Sequence, residues 1–112
     1  EYRDQFGGLL MRAIALAGSR PARVVAVSIP DWGVTRFARE RACDPTSIAA
    51  ALDAFNAVAR EQAERAGAQF VDITPISRRR PELLAADGLH PCARQYTLWV
   101  KAIVPAVRAA LS

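Results

Sequence analysis

Several residue types that usually announce a chemistry are scarce in this sequence. It has one histidine (His90), one lysine (Lys101), one asparagine (Asn56) and two cysteines, Cys43 and Cys92. The cysteines form no CxxC or metal-ligand spacing, which excludes a disulfide framework and a thiolate metal centre and makes reduced thiols the default. No metal and no organic cofactor is implied. No apolar run approaches the roughly 20 residues of a membrane-spanning helix, so no membrane span is expected. There is no internal repeat, low-complexity tract or interdomain linker, and 112 residues allow one domain at most, residues 1–112. With a single lysine, the net charge of +4 rests on arginine. The arginines are scattered among carboxylates apart from Arg78-Arg79-Arg80, a triplet that reads as a solvated loop. Nothing pairs aromatic platforms with a basic groove, so a nucleic-acid partner is not expected.

What is present describes a globular α/β chain, 52% hydrophobic and 23% charged. From Tyr2 to Ala17 the residues Tyr2, Phe6, Leu9, Leu10, Ala13, Ile14 and Ala17 recur at helical spacing. Gly7 and Gly8 weaken that helix by about 1 kcal/mol each relative to alanine, and Gly18 and Pro21 stop it. Val24–Ile29 is a β-branched run without polar alternation, which predicts a strand buried on both faces, as in a parallel sheet. Pro30 ends it, and a long loop is expected up to Cys43. Asp44-Pro45 then places a capping carboxylate before a proline at the first helical position. Ile48, Leu52, Phe55, Ala59, Ala63 and Ala66 carry the apolar stripe of this second helix to Gly67. A short strand follows at Gln69–Ile73, closed by Thr74-Pro75. Residues Ile76 to Ala86 read as a loop with one helical turn around Pro81 to Leu84. A last helix, Ala93 to Leu111, repeats Tyr96, Trp99, Val100, Ile103, Val104, Val107 and Leu111, with Tyr96 and Trp99 expected in the core and a kink at Pro105.

Helix, strand, helix, strand, helix implies right-handed crossovers and a parallel sheet with helices on its faces. Two strands cannot make a sheet covered on both sides, and their outer edges would lack partners. Something is therefore expected beside Val24–Ile29: either strands upstream in the natural protein or a second chain. The sequence opens at Glu1 in helical pattern without an initiator methionine, and the expectation is that it is a C-terminal portion. Compartment is left open.

The chemistry concentrates in Asp87-Gly88-Leu89-His90-Pro91. A carboxylate three residues ahead of an imidazole, with glycine between, folds back and accepts a hydrogen bond from one ring nitrogen. That bond fixes the tautomer and frees the other nitrogen to take a proton. In an open parallel sheet, ligands bind beyond the carboxyl ends of the strands, where three loops converge: Pro30–Cys43, Thr74–Ala86 and the Asp87–His90 turn. Asp31, Trp32, Arg36 and Phe37 in the first loop are candidates to line a substrate pocket. Ser28 reads as a buried hydroxyl bonded to backbone, Asp72 as the cap of the following turn, and Cys92 as a small residue in the first turn of the last helix.

The Asp87–Pro91 block, followed by an aromatic-rich last helix, resembles the SGNH (GDSL-type) esterases and acylhydrolases. Val24–Ile29 with Pro30-Asp31-Trp32-Gly33, and Val71–Pro75, support the resemblance, which runs over essentially the whole chain. It implies a flavodoxin-like three-layer α/β/α fold, of which this chain would be the C-terminal half with two strands and three main helices. It also implies cleavage of a small-molecule carboxylic ester, with Asp87 orienting His90 and His90 acting as general base and then general acid. The family's Gly-Asp-Ser nucleophile block and most of its oxyanion donors are not in this sequence. The chain alone is accordingly expected to be inactive. An alternative reading is a non-catalytic module that pairs through its exposed strand edge.

Overall fold

The structure, a computed structural model, describes all 112 residues. Helix α1 spans Tyr2–Leu16, α2 Arg36–Glu40, α3 Pro45–Ala66, α4 Thr74–Arg79 and α5 Ala93–Leu111, with strands β1 at Val25–Val27 and β2 at Gln69–Val71. Single 3-10 turns at Pro21–Arg23 and Trp32–Val34 complete the order. The chain is mixed α/β and mostly helical.

The punctuation expected from sequence governs the long elements. Asp44 caps α3 by accepting from the Thr46 amide at 3.1 Å, Pro45 occupies the first helical position, and Gly67 ends the helix in the left-handed region at φ 82°. Left-handed backbone costs a side-chain-bearing residue roughly 1–2 kcal/mol, so glycine makes this stop sharp. In α1, Gly7 faces α3, where an added methyl would meet Gln62 Oε1 at 3.4 Å. The loss of helix propensity there goes with close approach of the two helices.

β1 and β2 pair in parallel with Ala26 opposite Phe70. Ala26 and Phe70 pack with Leu10, Ile14, Ala63 and Ala68, so α1 and α3 cover one face of the sheet. The neighbouring position Gln69 points to the other face, where its amide donates to the Ala106 carbonyl of α5 at 2.8 Å.

Four expectations require correction. The strand read as buried on both faces is only half-covered, and Val27 is 41% exposed. Two strands about 4.8 Å apart make a ribbon hardly wider than one helix, so α1 and α3 pack on each other as much as on the sheet. The long loop from Pro30 to Cys43 contains a 3-10 turn and α2, because Asp31 and Thr35 cap successive turns through Gly33 N and Ala38 N. The stretch after Ile73 is helical at once, over Thr74–Arg79, with Pro75 in the first turn, while Pro81–Leu84 forms no helix. Tyr96 is 47% exposed on the outer side of α5, edge-on to the half-buried Trp99 at 5.1 Å between ring centroids.

Candidate active site

The carboxyl ends of β1 and β2 are tied together by a polar knot centred on Ser28. Its Oγ accepts from the amides of Ile73 (2.8 Å) and Thr74 (3.1 Å) and donates to Asp72 Oδ1 at 2.9 Å, while the proton of Thr74 Oγ1 goes to the Ile29 carbonyl at 2.6 Å. Ser28 is thus the buried, backbone-bonded hydroxyl expected from sequence. Asp72 also accepts from Thr74 N at 3.2 Å, the turn-capping role. Asn56 joins this knot from α3: its Oδ1 accepts from Ile29 N at 2.9 Å, and its Nδ2 donates to Thr74 Oγ1 at 3.0 Å. No motif in the sequence marks Asn56, which lies in the middle of α3. The signal was its place on the stripe Leu52, Ala59, Ala63, where an amide must find buried partners.

The knot holds the first loop in place. Asp31 is 3% exposed, and its carboxylate accepts from Gly33 N at 2.9 Å and from Arg78 Nε at 2.8 Å. The same bond to Asp31, aided by Asp53, holds the Arg78 pKa above its ordinary value. Ser77 Oγ accepts from Asp31 N at 2.9 Å and donates to Thr74 O at 2.6 Å. Arg78 and Ser77 therefore fix the loop, which corrects the reading of the arginine triplet as merely solvated. A buried carboxylate needs a cation, and α4 supplies it.

The turn that carries the imidazole hangs from the start of α5. Leu84 and Pro91 form an antiparallel bridge, Ala85 N donates to His90 O at 2.7 Å, and Cys92 N donates to Leu83 O at 3.1 Å. Buried Gln95 adds a bond from Nε2 to Leu83 O at 2.8 Å. Cys92 stands at the cap position of α5 and not in its first turn. Within this brace, Gly88 turns the chain at φ 72°, and Asp87 Oδ1 accepts from the amides of Leu89 (2.9 Å) and His90 (3.0 Å). Asp87 Oδ2 lies 2.5 Å from His90 Nδ1. Three donors on one carboxylate, the ring foremost and then the two amides, pull the Asp87 pKa down to about 2. The arrangement places the proton of a neutral imidazole on Nδ1. Nε2 makes no hydrogen bond within the chain, and the His90 side chain is 69% exposed.

The pocket candidates divide. Asp31 and Trp32 reach the Asp87–His90 turn, lining with Leu89 and Pro91 a crevice of about 40 Å³. That is room for a water or two, whereas small-molecule sites run to several hundred Å³. Arg36 donates from Nη2 to Ala86 O at 2.8 Å and lies against Gly88, whose carbonyl accepts from Phe37 N at 3.1 Å. The Phe37 ring is covered by Arg41, 3.6 Å from its centroid. Arg36 also lines a cleft of about 510 Å³ with Arg39, Pro81, Glu82, Leu84, Ala85, Ala86 and Gly88.

No family model, curated protein or solved structure matches this chain. The site therefore rests on its own geometry. No three His, Cys, Asp or Glu side chains are grouped to hold a metal ion, and no helix is long and apolar enough to cross a membrane. Chemically, the turn presents an imidazole oriented through Nδ1, with Nε2 free of partners within the chain. None of the chain's serines is hydrogen-bonded to it: Ser28 and Ser77 are committed to the knot, and Ser47 donates to Asp44 at 2.7 Å.

Proposed function

We propose that this chain is the base-bearing part of a serine ester hydrolase of the SGNH type. Asp87 orients His90 and supports its positive charge. Nε2 of His90 takes the proton of an attacking hydroxyl and returns it to the leaving alcohol. The hydroxyl and the oxyanion donors come from residues outside these 112. The observation that carries the reading is the 2.5 Å Asp87–His90 bond on a turn braced by backbone and side-chain bonds, with Nε2 left without a partner in the chain. In the assembled hydrolase the helices on both faces of β1 and β2 are the outer layers of a three-layer α/β/α sandwich. Further parallel strands extend the sheet from the free edge of β1.

The test supplies what the chain lacks. Mixed with a chain carrying the neighbouring strands and a Gly-Asp-Ser block, it is expected to hydrolyse p-nitrophenyl acetate, and alone it is not. His90→Ala should lower that turnover by about 10²–10⁴-fold, the usual range for a general base. Turnover that survives His90→Ala would overturn the assignment. A second reading rests on the unpaired edge of β1: a non-catalytic module that recruits a strand from a partner or from another copy. It predicts a stable complex on size-exclusion chromatography with no hydrolysis under any mixture.

A further inference from the structure

The cleft beside the Asp87–His90 turn has a charge pattern that the hydrolase reading does not use. Its walls come from α2 and from residues 81–88, with a volume of about 510 Å³, within the range of small-molecule sites. Arg36 and Arg39, one helical turn apart, both line it. Arg36 is held in place by its bond to Ala86 O, and by Gly88, where an added methyl would stand 2.5 Å from Nε. Arg39 forms no ion pair. The single carboxylate of the cleft, Glu82, is taken by Arg80 at 2.8 Å and is further stabilised by the charge of Arg94. The cleft is thus lined by two guanidinium groups, neither of them in an ion pair, and its acidic residue is paired with Arg80. Apolar surface from Pro81, Leu84 and Ala85 lies alongside.

We propose that this cleft binds the oxyanion of an acidic ester, a carboxylate or phosphate group, so that the molecule presented to His90 is anionic. The fork of a guanidinium matches the paired oxygens of such a group. Gly88 belongs both to the cleft wall and to the turn, next to Asp87 and two residues before His90, so the cleft adjoins the turn that carries the imidazole. The anion site stands on the cleft alone. Its identification with the substrate rests on the hydrolase reading.

Binding to the full 112-residue chain tests the proposal without requiring turnover. In a titration followed by backbone and arginine Nε–H resonances, monomethyl succinate should shift Arg36, Arg39, Ala86 and Gly88 saturably. Dimethyl succinate, which has the same shape without the charge, should not. Inorganic phosphate competing for the same resonances would assign the site to phosphate as well as carboxylate chemistry, and failure to compete would restrict it to carboxylates. Arg39→Gln, at an exposed position with no ion pair to lose, should weaken binding about three- to tenfold. Equal response to the two esters, or binding indifferent to Arg39→Gln, would overturn the proposal. His90→Ala should leave binding intact. If binding depends on Arg39 but an assembled form that cleaves p-nitrophenyl acetate leaves the half-ester intact, the identification with the substrate fails and the anion site survives; if it cleaves neither, the hydrolase reading itself fails.

Discussion

A single carboxylate decides the behaviour of the candidate base. Asp87 accepts from one ring nitrogen and two amides, and these bonds hold its pKa at about 2 instead of the usual value near 3.8. The sign follows from linkage: the folded state favours the ionised form. Its contribution is complete above the unfolded pKa and is lost as pH falls through about 2. The carboxyl carbon of Asp87, followed by NMR through acid titration, should give a midpoint near 2. A midpoint near 3.8 would mean that the side chain does not engage His90. Much of this was legible in sequence, because a three-residue spacing with an intervening glycine admits few conformations. The role of Arg36 was only half legible. Its place in the first loop marked it as a pocket residue, but its seat on Gly88 depends on two loops 50 residues apart meeting.

At the scale of elements, the ends of β1 and β2 are held more by side chains than by the ladder. Each strand is three residues long. Ser28 accepts two backbone bonds at that end and is 4% exposed, and Asn56 and Thr74 close the knot around it. Ser28→Ala leaves buried donors unsatisfied and should cost about 1–3 kcal/mol in a urea melt. A loss under half a kcal/mol would show that other groups take over its bonds. The helix boundaries at Asp44-Pro45 and Gly67 were readable because caps are local chemistry. α2 and α4 were not. Each is six residues or shorter, too brief for an apolar stripe, and each is fixed by a tertiary bond: Phe37 N to Gly88 O, and Arg78 to Asp31.

The molecule as a whole is a slab, 44 × 31 × 18 Å, with a radius of gyration of 15.2 Å. A compact chain of this length would have about 13 Å. Only 18 residues are buried, and Leu9, Met11, Leu16, Val100 and Leu111 are more than half exposed. The register sends Ser28 N and the Val24 carbonyl toward β2, so the amides of Val25 and Val27 face the open side. Hydrogen exchange should therefore be fast at Val25 and Val27 and slow at Ala26 and Ser28. Protection of all four amides would show that the edge is already covered, by a copy or by another segment. Slowing of Val25 and Val27 on addition of a strand-bearing partner is expected under either functional reading.

The sequence by itself determined the long helices, the order of the two strands, their parallel sense and the Asp87–His90 pair. The helices and the Asp87–His90 pair follow from periodicity, capping or a spacing of a few residues, which are local and survive without a core, and the parallel sense follows from the helix that joins the two strands. Only the tertiary structure decided that Asp31 is a buried anion tied to Arg78, that Asn56 closes the strand ends, and that Arg36 and Arg39 flank a cleft against the Asp87–His90 turn. Those depend on which loops meet at the carboxyl end of the sheet, and contacts between residues tens of positions apart leave no periodic trace along the chain.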